Sequence, residues 1–178
     1  MEFDTLLERR RSLRAYKADC GITKDEVEKM LNAALMAPSW KNSETGRYYV
    51  VIDEEKKAEL RAKCLPPFNA KNSENASAFI VTAFETGNAG FGPEGPVNDM
   101  GDMWGAYDLG LQNQNLIMKA SDLGYDTLIM GIRDEAALKS MLGIPDSQQV
   151  ASVIAVGKRD KDPAAPKRKE ITEIAKFF

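Results

Sequence analysis

The apolar run VASVIAV at 150–156 is the feature that most constrains the fold of this chain. A strand with one face in water alternates apolar and polar residues, whereas a strand covered on both faces reads as a nearly continuous apolar run. Three further segments have strand composition, and they lie at 47–52, 78–84 and 126–130. The sequence therefore predicts a central sheet of at least four strands with helices on both faces.

Helical segments alternate with these strands. The clearest helix begins with a capping box of Thr23 and Glu26, repeats an apolar residue every third or fourth position, and ends before Pro38. The first helix is expected to begin with Asp4 or Thr5 as its N-cap. The other predicted helices cover 3–11, 53–64, 104–123 and 133–142.

The middle of the chain combines a long loop with a long helix. Gly, Pro and Asn dominate 86–102, so this stretch is predicted to be a loop of about 17 residues, long enough to act as a lid or binding loop. The helix at 104–123 carries small and apolar residues on much of its surface, which predicts burial on more than one side. At 178 residues without a linker or repeat, the chain is expected to be a single domain, 1–178.

Composition limits the chemistry. The chain contains no histidine, so Ser-His and Cys-His pairs and the commonest metal ligand are excluded, and an enzyme of this composition would rely on an organic cofactor. A net charge of −3 provides no broad basic face for nucleic acid. No apolar run reaches the roughly 18 residues of a membrane span. Cys20 and Cys64 have no partners at metal-ligand spacing, so we expect free thiols and a cytoplasmic location.

Positive charge is concentrated in RRRSLRAY at 9–16. Arg10, Ser12 and Arg14 alternate, so an extended backbone would direct them to one side and Leu13 to the other. Guanidinium groups and a hydroxyl suit a phosphate. The spacing alone favours the simpler explanation, that these cations stabilise the C-terminus of a helix.

The loop PSWKNSETG, which precedes the first strand, supplies a second candidate. Asn42 lies between a helix and a strand, where binding residues are common, although Pro, Ser, Asn and Gly also form ordinary turns. Trp40 and Trp104 are interpreted as core or rim residues. The glycines of GNAGFG do not open onto a helix, so a nucleotide P-loop is not predicted.

Taken in order, the motifs RRRSLRAY, APSWKNSETGRYYVV, DLGLQNQNLIMKASDLGYDTLIMG and LGIPDSQQVASVIAVG, followed by a basic tail, resemble those of the nitroreductase family of FMN-dependent oxidoreductases. The resemblance covers nearly the whole chain. It implies an α+β fold with a central mixed sheet flanked by helices on both faces. It also implies a homodimer with FMN at the subunit interface. The apolar end IAKFF agrees with a tail, about 160–178, that packs on the partner subunit.

The resemblance also implies which residues contact FMN. Arg10 and Ser12 match positions that bind the phosphate and ribityl region, helped by Arg168 or Lys167, and Arg14 matches a cation beside N1 and O2 of the flavin ring. The whole implied set is Arg10, Arg11, Ser12, Arg14, Pro38, Ser39, Trp40, Asn42, Met130, Gly131, Lys167 and Arg168. The chemistry takes place at flavin N5, so no catalytic side chain and no metal are expected. Gln114 and Asn115 match the helix at the dimer core and are interpreted as structural.

The implied activity is a ping-pong reaction in which NADH or NADPH reduces FMN and the flavin then reduces a nitroaromatic, a quinone or a similar acceptor. Two departures from the family affect the substrate: Glu44 places a carboxylate where many members have Gln-Pro-Trp, and the loop at 86–102 replaces longer helices. Two alternatives remain open from the sequence. One is an FMN storage or delivery protein without turnover, and the other is a regulatory domain that binds no flavin.

Overall fold

A four-stranded antiparallel sheet forms the centre of the computed structural model, which describes residues 2–178. In chain order the strands are β1 (Gly46–Val51), β2 (Ala78–Glu85), β3 (Phe91–Gly92), β4 (Gly95–Pro96), β5 (Asp126–Met130) and β6 (Gln148–Gly157). The large sheet has the order β1-β2-β6-β5, and β3 pairs only with β4. All four predicted strands are confirmed, with ends that differ by at most two residues.

Helices cover both faces of this sheet. They are α1 (Phe3–Arg9), α2 (Lys24–Leu35), α3 (Glu54–Cys64), α4 (Pro67–Asn72), α5 (Met103–Asp122), α6 (Glu135–Leu142) and α7 (Ile171–Ile174). On β2, Phe79 and Val81 join the core cluster that includes Leu60 of α3. The intervening Ile80 joins a second cluster, with residues of α2 and α5. Because neighbouring strand residues enter opposite clusters, the prediction of a sheet buried on both faces is confirmed.

A short parallel contact makes the sheet mixed at its β5 edge. Ser12 pairs with Thr127 in a parallel bridge, and the backbone N–H of Leu13 donates to the carbonyl of Thr127 at 2.9 Å. The α+β fold with a mixed sheet, expected from the resemblance, is therefore confirmed.

The helix starts confirm one predicted cap and overturn another. At α2, the Thr23 hydroxyl accepts from the backbone N–H of Glu26 while the Glu26 carboxylate accepts from that of Thr23, which is the predicted capping box. At α1, the expected cap on Asp4 or Thr5 is wrong, because the helix begins earlier, with Glu2 as an N-cap that makes no side-chain hydrogen bond. The sequence also did not predict α4, because its six residues carry no apolar repeat.

Burial of α5 differs between its two halves. In the N-terminal half the buried positions, such as Gly105, Asp108 and Leu109, form one stripe, whereas Met103 and Tyr107, on the other side, are 60% and 55% exposed. In the C-terminal half the consecutive residues Leu116–Met118 are all buried, so the predicted burial on more than one side is found there. The expected loop at 86–102 also contains the short β3-β4 hairpin.

The C-terminal tail extends away from the core. Side chains from 164 to 174, including those of α7, are exposed, and Phe178 at the end of the chain has no cover. Among residues 2–178, no helix combines the length and apolarity that crossing a membrane requires.

Candidate functional site

The arginine-rich segment lies along the outer edge of β5. Pairing of Ser12 with Thr127 fixes the direction of the segment, so that Arg14 and Ile129 both follow the bridge by two residues. Leu13 is buried in the core, whereas Ser12 and Arg14 are exposed. The predicted alternation is confirmed for these three residues. The edge of the sheet therefore presents a hydroxyl and a guanidinium outwards.

Arg10 lies close enough to Arg168 for the two charges to interact. Burial lowers the pKa of Arg10, and the positive charges of Arg168 and Arg11 lower it further. The negative charge of Asp126 raises the pKa of Arg10. The Asp126 carboxylate, however, already forms a two-point ion pair with Arg159, at 2.9 and 2.7 Å. The fold thus brings the charge of Arg168 to bear on Arg10, 158 positions earlier in the sequence, and among residues 2–178 neither of these arginines forms an ion pair. Lys167 is exposed, and Arg11 donates to the Arg10 carbonyl at 2.8 Å.

Strand β5 ends at Met130 and Gly131 follows it, and both residues lie beyond Ile129, the position level with Arg14. The Met130 side chain is buried in the core cluster, so it is not available to a ligand. Gly131 is exposed, and a Cβ built on it would meet no atom within 4 Å. This end of β5 can therefore offer backbone groups to a ligand, as the resemblance implied.

The loop before β1 has an unusual backbone. Lys41, Asn42 and Glu44 have φ of 48°, 55° and 48°, and residues Trp40–Asn42 form a short 3₁₀ turn. Left-handed conformations are uncommon for residues with a side chain, and several in one short loop persist only when the surroundings enforce them. Such strain is concentrated at binding sites. The loop is therefore a candidate site on geometric grounds as well as by resemblance.

Helix α5 anchors this loop through two of its side chains. The backbone N–H of Trp40 donates to Asp108 Oδ2 at 2.8 Å, and the Trp40 ring meets the Trp104 ring edge-on with 5.0 Å between centroids. Asp108 is 2% exposed, and burial raises its pKa. The sequence analysis did not identify Asp108 as functional. A carboxylate within the apolar stripe of a helix was the available signal.

Three polar groups in the loop are buried without a partner. Within residues 2–178, the Trp40 Nε1 group and the hydroxyls of Ser43 and Thr45 make no hydrogen bond. A buried donor without a partner costs free energy unless a ligand or water satisfies it. Pro38 and Asn42 are exposed, and Ser39 is half-buried. The loop thus combines exposed polar side chains with unsatisfied groups beneath them.

The two groups of candidate residues belong to opposite edges of the sheet. Residues 38–42 lead into β1, which is one edge strand, whereas residues 10–14 run beside β5, which is the other. Three strand spacings separate the edges, which is about 14 Å. No hydrogen bond or ion pair links the two groups within the described part of the chain.

Sequence comparison identifies one family. The profile of the nitroreductase family matches residues 7–158. A protein of Archaeoglobus fulgidus, whose name proposes an NADH dehydrogenase or NAD(P)H nitroreductase, is 33% identical over 160 residues, which cover 86% of this chain and 84% of the relative. YodC of Bacillus subtilis, named as a proposed NAD(P)H nitroreductase, is 25% identical over an alignment of 200 positions, gaps included, that covers 97% of each chain.

The fold comparison agrees with the sequence match. A proposed nitroreductase of Exiguobacterium sibiricum, solved in complex with FMN, superposes with a TM-score of 0.88 at 24% identity. The superposition covers 100% of this chain and 98% of the other. The likeness therefore extends over the whole described fold, including the sheet, α5 and the edge segment.

Proposed function

Because this chain belongs to the nitroreductase family, we propose that it is an FMN-dependent oxidoreductase that takes electrons from NADH or NADPH. Nitroaromatics, quinones or similar compounds are the proposed acceptors. The two half-reactions are proposed to follow each other at one flavin face, in a ping-pong order. Bound FMN would supply the hydride-accepting centre at N5 that no side chain of the chain provides.

The observation that carries the proposal is the parallel bridge between Ser12 and Thr127, which holds the arginine-rich segment along the β5 edge with Ser12 and Arg14 exposed. The positive charge of Arg168 acts on Arg10 in the same region, and among residues 2–178 neither of these two arginines forms an ion pair. A phosphate dianion would neutralise both and accept paired hydrogen bonds from the guanidinium groups. Ser12, on the same edge, adds a hydroxyl. These donors fit the FMN phosphate and the adjoining ribityl hydroxyls.

The remaining candidate residues are proposed to orient the flavin ring. Arg14 would place positive charge beside N1 and O2, where it favours the reduced form. Backbone N–H groups at Met130 and Gly131 would meet N5 and O4. Ser39 and Asn42 would lie along the flavin ring. The bound ring would also exclude water from the loop. Positioning and charge suffice for hydride transfer, so the lack of histidine is no obstacle.

We propose that two subunits complete each site. A separation of about 14 Å between the sheet edges supports an arrangement in which one subunit supplies residues 10–14 and its partner the loop at 38–42. Exposed apolar side chains support a homodimer, because a surface of this kind marks an interface. They line α1, α2 and α5 and include Phe3 (66% exposed), Leu35 (57%), Met36 (81%) and Met103 (60%).

The tail is proposed to complete the dimer. In a single domain covering 1–178, residues 160–178 would pack on the partner subunit, since Ile171, Ile174, Phe177 and Phe178 find no cover on their own chain. Removal of 171–178 is expected to weaken dimerisation. Analytical ultracentrifugation of the full chain and of the truncated protein tests this, and a full chain that remains monomeric at high micromolar concentration would overturn the dimer.

The alternative function is storage or delivery of FMN without turnover. The Glu44 carboxylate, exposed in the loop, favours this alternative because it would repel an anionic nicotinamide dinucleotide. A cytoplasmic location belongs to either proposal and is supported by the two free thiols, Cys20 and Cys64.

An anaerobic visible spectrum decides between these functions. The purified protein is supplemented with FMN, separated from free flavin, and recorded before and after addition of NADH or NADPH. A bound flavin band that bleaches supports the oxidoreductase. A bound band that persists favours storage, and the absence of any bound flavin would overturn both proposals.

A further inference from the structure

The backbone of Glu44 is held by hydrogen bonds to two side chains. Its N–H donates to the Ser39 hydroxyl at 3.1 Å, and its carbonyl accepts from Arg47 Nη1 at 2.8 Å. Arg47 is itself fixed by Glu85 of β2, at 2.7 Å. These contacts hold the backbone of Glu44 at its positive φ.

The Glu44 carboxylate places a negative charge in the candidate loop. It accepts a hydrogen bond from Asn42 Nδ2 at 3.2 Å. Among the described residues, no Lys or Arg side chain forms an ion pair with it, because Arg47 is engaged by Glu85. The carboxylate is therefore a negative charge without an ion-pair partner in the described part of the chain, and it is hydrogen-bonded to a residue that is proposed to face the flavin.

We propose that Glu44 is a specificity-determining residue that selects against ligands carrying negative charge beside the flavin ring and in favour of acceptors that are neutral or cationic there. The inference rests on the proposed function. A negative charge several ångströms from a bound anion raises its dissociation constant by about threefold in a largely aqueous site. A neutral ligand of the same shape experiences no such penalty.

Binding of a matched pair of aromatic ligands tests this charge selection. Benzoate is the anionic probe and benzamide the neutral one, and each dissociation constant is read from the perturbation of the bound flavin spectrum. Glu44→Gln is expected to tighten benzoate about threefold and to leave benzamide unchanged. In 0.5 M NaCl, where the Debye length is about 4 Å, the difference should largely disappear.

Turnover supplies a second readout. The ratio of kcat/KM for 1,4-naphthoquinone-2-sulfonate to that for 1,4-naphthoquinone is expected to rise about threefold in Glu44→Gln. Glu55→Gln makes the same charge change at an exposed position in α3. It should alter neither the kcat/KM ratio of the two quinones nor the dissociation constants of benzoate and benzamide. If Glu44→Gln fails to fold, Glu44→Gly also removes the charge and is compatible with positive φ.

The results separate three cases. Equal shifts for both ligands would mean that Glu44 acts only through the shape of the loop, and no shift would mean that its charge is not felt; either result overturns the inference. A protein that binds no flavin, or whose bound flavin is not reduced by NAD(P)H, contradicts the proposed function itself and is recognised in the spectrum before any variant is made.

Discussion

The buried carboxylate of Asp108 accepts a hydrogen bond from the backbone N–H of Trp40 at 2.8 Å, and so joins the long helix to the strained loop. The chain has two tryptophans, and they are the pair in edge-on contact at this junction. Intrinsic tryptophan fluorescence therefore reports on this loop and little else. A single spectroscopic signal follows the part of the molecule that we propose to face the flavin.

Asp108 is expected to make stability depend on pH. Burial raises the folded-state pKa of Asp108 above the ordinary value of 3.8. The folded state therefore favours protonation of this carboxyl more strongly than the unfolded state does. Its stabilising contribution is complete below the unfolded pKa and is lost as the pH rises through the folded pKa. Asp108→Asn keeps an acceptor for Trp40 and has no charge to bury. The free energy of unfolding of Asp108→Asn, relative to the wild type, should therefore increase as the pH rises above about 4 and then become constant.

Urea unfolding of both proteins at a series of pH values, followed by tryptophan fluorescence, measures this difference. Asp146→Asn is a suitable control because Asp146 is exposed. A difference between wild type and Asp108→Asn that does not vary with pH would show that burial of this charge is not costly.

Much of the layered architecture could be predicted from local sequence. Residues 150–156 become a strand buried on both faces because six of the seven are apolar, a composition typical of a strand covered on both faces. The Thr23–Glu26 capping box also forms as expected, since both hydrogen bonds involve residues three apart. Local patterns determine such elements, and distant residues do not need to be known.

The candidate site could be predicted less completely. The charge interaction between Arg10 and Arg168 depends on the path of the tail, which no pattern in either segment reveals. The role of Asp108 depends on where the loop crosses α5, and the positive φ of Glu44 depends on Arg47 and Ser39. Each of these features arises from long-range packing or from a network of hydrogen bonds, so the sequence alone predicts the residue types and the fold places them.

Arg14 is predicted to raise the reduction potential of bound FMN. A reduced flavin carries negative charge at N1, and a nearby cation stabilises it. Arg14→Met should remove about 1–2 kcal/mol of interaction, which lowers the midpoint potential by about 20–40 mV for a two-electron couple. Anaerobic titration against a dye of known potential measures the shift. Lys63→Met changes the same charge on α3, and a shift as large as that of Arg14→Met would remove Arg14 from this role.

Gly157 is predicted to be essential for the packing of the N-terminal segment. A Cβ at this position would lie 2.6 Å from Tyr16 Cδ1 and 3.2 Å from the backbone N of Ser77, and Tyr16 is only 4% exposed, so its ring cannot retreat. Gly157→Ala should destabilise the protein by about 1–3 kcal/mol. At Gly21 a Cβ would meet no atom within 4 Å, so Gly21→Ala serves as the control.

Chemical denaturation measures both glycine variants. Tyr16 is the last residue of the arginine-rich segment at 9–16. Gly157→Ala should therefore also weaken FMN binding, whereas Gly21→Ala should not. Equal stabilities for the two variants would mean that the strand end and the Tyr16 ring adjust at little cost.

Arg10 and Arg168 are predicted to recognise the phosphate of FMN rather than its ring. Replacing either arginine with Gln removes a charge-assisted contact worth about 1.5–3 kcal/mol, so the dissociation constant of FMN should rise by about 10-fold to 150-fold. Riboflavin lacks the phosphate, and its affinity should not change. Without ligand, the two charges repel each other, so either substitution should raise the thermal midpoint slightly at low ionic strength, and this gain should vanish in salt. Lys169→Gln, one residue away, is the matched control. If riboflavin and FMN lose affinity equally, the arginines do not bind the phosphate, and their proximity must serve another anion.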